Sequence, residues 1–402
     1  MNVCKLVSFI LAFILVLISL FEFVFARVVI KEYELEKSSL YVIENPYSVL
    51  SSAGFVVKRG AAQENPQLYG ITHLWEHLFF RNSIENKNLK DLLVDSQYNA
   101  STYNDYISFY ATGDVYKILK YFVTAFRNPN FDKDSFNLEK QVVIAELSSK
   151  SYQDSPSFFK IYLNPTGGTI KTVNNISFEI MKDFTKSFND QDLVFFVISN
   201  EEVKEVDKFN EIFGNRFVKK KEFVFNLERR TKEELYLNYL KFKVFLNNLL
   251  ARGLEEKVDS KNLYLYYSSP DYSLEDLFFF DVLSKYFDLL RNEDRNFKIA
   301  LKRKGIENMD SYFFPQKREI LFLISFTKNA DKKELINEIR ELVYSKISSM
   351  DYGEFCKVYD NLYLDILKIF SDSWSLVQLV PYFIYNDNWE LMNYYIRGCN
   401  KN

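Results

Sequence analysis

Histidine is nearly absent from this chain, with 2 copies in 402 residues. Cysteine is almost as rare at 3, and no CxxC or CxxH spacing occurs, which excludes a cysteine-built metal cluster. Neither sign of charge is in excess: 51 basic residues face 54 acidic ones, a net charge of -3. That balance gives no electrostatic footprint for a nucleic-acid partner. Glycine is scarce at 11, and no short-period repeat or low-complexity tract appears. What remains is 48% hydrophobic and 26% charged, the composition of a globular protein rather than a disordered or fibrous one. A chain of 402 residues is too long for one ordinary core, so two domains of similar size are expected.

Residues 1–26 differ from the rest. Lys5 supplies a positive start, Leu6 to Phe21 is an almost unbroken apolar run, and Val24-Phe25-Ala26 offers a cleavage point. This is the pattern of a secretory signal cut after Ala26. The competing reading is an uncleaved anchor, since the run is nearly long enough to span a bilayer. Both readings put the remaining chain outside the cytoplasm, exported to a periplasm-like space or held at the membrane through residues 1–26 alone. Cys356 and Cys399 are then free to pair in an oxidising compartment, or equally to stay as buried thiols.

Strand patterns at residues 28–30, 40–43 and 54–57 precede a helix expected over Ile71 to Asn82. A short helix over Lys87 to Asp95, a strand over Ser101 to Tyr110 and helices over Val115 to Phe126 and from Asp132 or Asp134 to about Lys150 follow. The polar segment from about Lys219 to Lys232 is the candidate boundary. Strands near residues 263–267 and 320–326 alternate with helices near 274–290 and 332–347. Strands mixed with helices in each half predict an α+β fold. The expected divisions are 27–220 for a first domain, 221–262 for a helical connection and 263–402 for a shorter second domain.

The two histidines stand four residues apart in His73-Leu74-Trp75-Glu76-His77. On a helix, positions i and i+4 share a face, so both imidazoles can reach one ion. Glu76 projects from the same side, placed to take a proton from a water activated by that ion. This is the HxxEH order, the reverse of HExxH. Two scattered histidines would fall into it on the order of once in a thousand; the plain alternative is two helix histidines without a role. A catalytic zinc takes three protein ligands and keeps an open position. With no other histidine and no cysteine cluster, the third is a carboxylate, and Glu146 in the helix Leu138 to Glu146 is the strongest candidate. Glu139 lies two helical turns earlier on nearly the same face, suited to orienting a ligand from behind; an exposed helix carboxylate is its alternative.

These residues resemble the pitrilysin-type (insulinase) zinc metallopeptidases. Gly70 to Phe80 is similar to that family's zinc helix, and Glu139 to Glu146 to its second helix with the third ligand at the end. Asn99-Ala100-Ser101-Thr102 with Ser108-Phe109-Tyr110 resembles its active-site edge strand. The resemblance implies two consecutive related α+β domains, each a mainly antiparallel sheet packed with helices, as in processing-peptidase subunits. It implies one Zn2+ held by His73, His77 and Glu146, Glu76 as general base, and Glu139 supporting the ligands. It also implies that Asn99 and Ala100 pair with an extended peptide substrate. Half-length relatives of this kind work in two-chain assemblies, so a homo- or heterodimer partner is implied, and a binding half without activity is the alternative function. One departure stands out: the region Leu289 to Ser311 is charged and poor in glycine. Arg303 there matches the family's second-half arginine, but Asn308 falls where a tyrosine is expected.

Overall fold

A computed structural model describes residues 27–34, 38–149, 166–203, 206–214, 218–258, 262–316, 319–328 and 335–401; residues 1–26 and the end of the Asp132 helix pattern at Lys150 lie outside them. The first strands are β1 (Arg27–Glu34), β2 (Ser39–Glu44) and β3 (Ser52–Val57). A small hairpin follows, β4 (Ser83–Ile84) with β5 (Lys87–Asn88), and then β6 (Tyr98–Thr102), β7 (Ile107–Thr112), β8 (Leu193–Ser199) and β9 (Val218–Asn226). A second sheet holds β10 (Glu255–Val258), β11 (Asn262–Ser269), β12 (Ile306–Gln316) and β13 (Glu319–Lys328) in the order β10-β11-β13-β12. The last strand, β14 (Arg397–Lys401), returns to the first sheet, whose order is β14-β9-β1-β2-β8-β3-β7-β6. All pairings are antiparallel except β2 with β8.

Helices in chain order are α1 (Ile71–Phe79), α2 (Leu89–Leu92), α3 (Val115–Arg127), α4 (Lys133–Leu147), α5 (Ile170–Asn175), α6 (Phe178–Lys186) and α7 (Val206–Phe213). The second half contributes α8 (Lys232–Arg252), α9 (Leu274–Glu293), α10 (Arg295–Arg303), α11 (Leu335–Ser349), α12 (Tyr352–Ser371), α13 (Ser373–Asn386) and α14 (Met392–Tyr395). Capping chemistry sets several starts: Asp132 accepts from Ser135 N at 2.6 Å to open α4, and Ser177 accepts from Ile180 N at 3.2 Å to open α6.

The central strands β3, β7 and β8 are buried on both faces, every residue but Ser199, polar ones such as Ser52, Ser108 and Thr112 included. Their alternate residues feed different cores. Ala53, Phe55, Val57, Phe109, Phe195 and Val197 pack under α1, α3 and α4. Val56, Tyr110, Val194, Phe196 and Ile198 face the other way, into a core shared with α9, α12 and α13. Helix α13 crosses β3, β7 and β8 on that second face, where Trp374 meets Tyr110 edge-on at 5.4 Å. The two halves therefore share one continuous apolar core instead of meeting through a polar linker.

Two local expectations differ from what forms. The strand expected over Ser101 to Tyr110 is a hairpin, β6 and β7, turned at Tyr103 to Tyr106, where Tyr103 N donates to Tyr106 O at 2.8 Å. Alternation continued through the turn because both arms share one apolar face. Strand β9 runs through residue 220, and β14 pairs with it from Arg397↔Asn226 to Lys401↔Glu222. The chain thus crosses the expected boundary within a strand and comes back to the first sheet at its end. Cys356 is a half-buried free thiol.

Candidate metal centre

Helix α1 is aimed by what precedes it. Gly70 sits at its N-cap with φ 96°, a conformation side chains resist, and an added Cβ would lie 2.4 Å from the Gly167 carbonyl oxygen. The helix's first free N–H groups find a side chain from the preceding loop: Gly70 N donates to Glu64 Oε2 at 2.7 Å and Thr72 N to Glu64 Oε1 at 2.9 Å, with the Thr72 hydroxyl on the same oxygen. Burial pushes the Glu64 carboxyl up to about 7 despite these hydrogen bonds and nearby Arg59. Ile71, Leu74, Trp75, Leu78 and Phe79 bury the opposite face, Trp75 stacking on Phe188 at 4.4 Å. His73, Glu76 and His77 are left on the face turned to α4 and β6.

Helix α4 supplies the carboxylates. Lys140 ties it to the end of α5 through the carbonyls of Asn174 at 3.0 Å and Ile176 at 2.7 Å. Glu146 Oε2 lies 3.6 Å from His73 Nε2 and 3.7 Å from His77 Nε2. Those gaps are too long for hydrogen bonds. They are close to the edge of a tetrahedron whose centre makes ligand bonds of about 2.1 Å, an edge of about 3.4 Å. Glu139 is buried; its Oε2 meets His77 Nδ1 at 3.2 Å, while its Oε1 is gripped by Arg81 at 2.6 Å from Nε and 2.5 Å from a terminal nitrogen. With Nδ1–H committed to Glu139, His77 carries its lone pair on Nε2, toward Glu146. His73 is held neutral, its imidazole pushed down to about 4 by burial and then by neighbouring His77. His73 Nδ1 is buried with no hydrogen-bond partner among the described residues. Two imidazoles and one carboxylate converging without bonding one another suit a zinc ion.

Glu76 is not part of that convergence. Its Oε2 accepts from the Thr102 hydroxyl at 2.6 Å, and burial pushes its carboxyl up, opposed by that hydrogen bond and by His77. Thr102 and Ala100 face α1 from β6, whereas Asn99, exposed, and Ser101 point to the opposite face. Strand β6 ends the sheet, so its outer edge has no strand partner among the described residues.

The structure therefore brings His73, His77, Glu146, Glu139 and Glu76 together and sets Asn99 and Ala100 on the adjoining edge. It does not bring Arg303 or Asn308: Arg303 is exposed in the last turn of α10, and Asn308 Nδ2 donates to Asp310 at 2.9 Å. Three contributors escaped the sequence reading. Arg81, four residues beyond His77, continues the histidine spacing. Thr102 follows Ala100 by the strand period of two. Glu64 carries no local signal, because its contact crosses a loop.

Comparison with known proteins adds a family. Residues 40–173 match Insulinase (Peptidase family M16). The "Uncharacterized zinc protease YmxG" of Bacillus subtilis is 26% identical over 205 residues, covering 45% of this chain and 49% of the relative. Cytochrome b-c1 complex subunit 1 of Saccharomyces cerevisiae mitochondria is 25% identical over 188 residues, 42% and 40% of the two chains. The chain thus spans about half the length or less of these curated relatives. Among solved structures, a protease from Helicobacter pylori superposes with TM-score 0.66 at 17% identity, covering 90% of this chain and 92% of that one. The periplasmic protease PqqL from Escherichia coli gives 0.60 at 12% identity, covering 89% of this chain but 42% of that one. These superpositions establish the fold.

Proposed function

We propose that this chain, whose residues 40–173 are an insulinase (peptidase family M16) domain, is a zinc-dependent endopeptidase acting on peptides or unfolded segments bound as an added strand. The observation that carries this reading is the convergence of His73 Nε2, His77 Nε2 and Glu146 Oε2 beside a separately held Glu76. His73, His77 and Glu146 would hold the zinc. When bound, it supplies Lewis acidity, lowering the pKa of water and polarising a carbonyl oxygen.

The chain's own residues do the rest. Glu76 takes the proton from the attacking water and returns it to the departing amine, so the carboxylate is regenerated. Thr102 fixes the rotamer of Glu76 through its hydroxyl. Glu139, braced by Arg81, holds His77 in one tautomer and orientation. The free edge of β6 at Asn99 and Ala100 pairs with substrate backbone, so recognition rests on extended shape.

The reading includes a second chain beside this one, another copy or a partner, as the resemblance to half-length family members implies. Under that arrangement the alternative role is a binding half that cuts nothing, and the complete ligand set speaks against it. The sequence pattern of residues 1–26 supports work outside the cytoplasm. Zinc analysis of the purified chain, with cleavage of a peptide library by wild type and Glu76→Gln, tests the reading. One zinc per chain in both and cleavage in wild type alone is the expected result; zinc with no cleavage in either favours the binding half.

A further inference from the structure

A peptide laid along β6 turns alternate side chains toward α1 and toward the opposite face of the sheet. The α1 side is occupied by Glu76 and the ligand cluster. On the other side stand Asn99, in register with Tyr110 of β7, and Ser101. Tyr103 directly follows Thr102, whose hydroxyl bonds Glu76, and is 40% exposed. Its ring does not move freely. It stacks on buried Tyr106 at 4.5 Å and 27°, and Tyr106 stacks in turn on Tyr385 of α13 at 4.9 Å and 28°.

The backbone beneath is equally fixed. Tyr103 N donates to Tyr106 O at 2.8 Å, Tyr103 O accepts from Ala61 N at 3.0 Å, and Asn104 O accepts from Ala62 N at 2.8 Å. Gly60 is pressed so close that an added Cβ would meet Tyr103 O at 2.4 Å. The result is a flat ring, held by both halves of the chain, with an open side at the end of the strand a peptide would pair with. A rigid aromatic surface binds another ring at low entropic cost, since nothing further must be ordered on the protein side.

We propose that Tyr103 is a specificity-determining residue that selects an aromatic side chain in the peptide lying along β6, next to the residue whose carbonyl faces the ligand cluster. This rests on the peptidase reading above for the identity of the ligand, but its test does not need catalysis. In a Glu76→Gln background, which stops cleavage, binding is measured for a set of labelled Ala/Ser/Gly decapeptides. Each carries one Phe at a successive position. One position is expected to bind about 3- to 10-fold tighter than the Phe-free host. Tyr103→Ala levels that advantage, whereas Tyr103→Phe, which keeps the ring and the stack, retains it.

An aromatic advantage that survives Tyr103→Ala overturns the proposal, and so does a set with no aromatic advantage in the parent. Equal loss in Tyr103→Phe and Tyr103→Ala also overturns it, because the hydroxyl rather than the ring would then be responsible. Failure of the chain with Glu76 intact to cleave any of these peptides counts against the peptidase reading and leaves the binding comparison standing.

Discussion

Replacing Glu139 by Gln separates a supporting carboxylate from a ligand. In the native site Glu139 Oε2 faces His77 Nδ1 at 3.2 Å and Oε1 holds Arg81 at 2.6 and 2.5 Å. Glutamine keeps the shape and an acceptor for Nδ1–H, but removes the charge that Arg81 and the imidazole both use. Hydrogen bonds to charged groups contribute about 1.5–3 kcal/mol each. The Arg81 side chain is 22% exposed, so water recovers part of the loss. The expected cost to the metal-free fold is about 2 kcal/mol, read as a lower denaturant midpoint at unchanged slope. For zinc, a lost supporting carboxylate weakens binding about 10- to 100-fold, or about 1.4–2.7 kcal/mol. Competition against a chelator of known affinity measures this directly. Glu146→Gln removes a ligand and must weaken zinc more than Glu139→Gln does. Zinc affinity within twofold of wild type in Glu139→Gln would refute the assigned role, as would a Glu139→Gln defect exceeding that of Glu146→Gln.

Glu76→Gln should retain zinc while kcat falls by about 10²–10⁴-fold; loss of zinc with activity would show that Glu76 is a ligand instead. Thr102→Val removes the hydroxyl that holds Glu76 and should lower kcat with little change in KM, and Thr102→Ser should restore it; steady-state kinetics on one peptide checks both. Glu64 titrates near 7 when folded against 4.5 when free. The folded state therefore holds its proton more tightly, and the stability this group contributes is full below pH 4.5 and lost as pH rises through 7. On the order of 3 kcal/mol is at stake, measured as the pH-dependent difference between wild type and Glu64→Gln in denaturant titrations; a difference that is flat from pH 4.5 to 7.5 contradicts it. Gly70→Ala forces a left-handed conformation and a 2.4 Å approach to Gly167 O, so it should cost more than about 1 kcal/mol and loosen zinc by misaiming α1.

How much of this could be read in advance follows the range of the interactions. His73, Glu76 and His77 lie within one helical turn, where spacing alone fixes which side chains share a face. Glu146 and Glu139 lie on one helix, and elimination of other donors points to them. The ranges of α3 and α9 came close for the same reason, since period and caps are local. The hairpin at Tyr103 to Tyr106 did not show, because its turn is fixed by Ala61 and Ala62 from another segment. Nor did β14, which exists through pairing with a strand far earlier in the chain. Arg81 and Thr102 were within reach of the periodic argument and needed only one more step of it. Glu64 was not, because nothing in a loop sequence says which helix it will cap.

The account is tested most directly by titrating zinc into chelator-stripped chain while following cleavage of a peptide substrate. Activity should be absent without metal, rise linearly and break at one zinc per chain, with the break lost in Glu146→Gln. Cleavage that persists in the stripped chain, or a chain that takes up one zinc and never cuts, contradicts it.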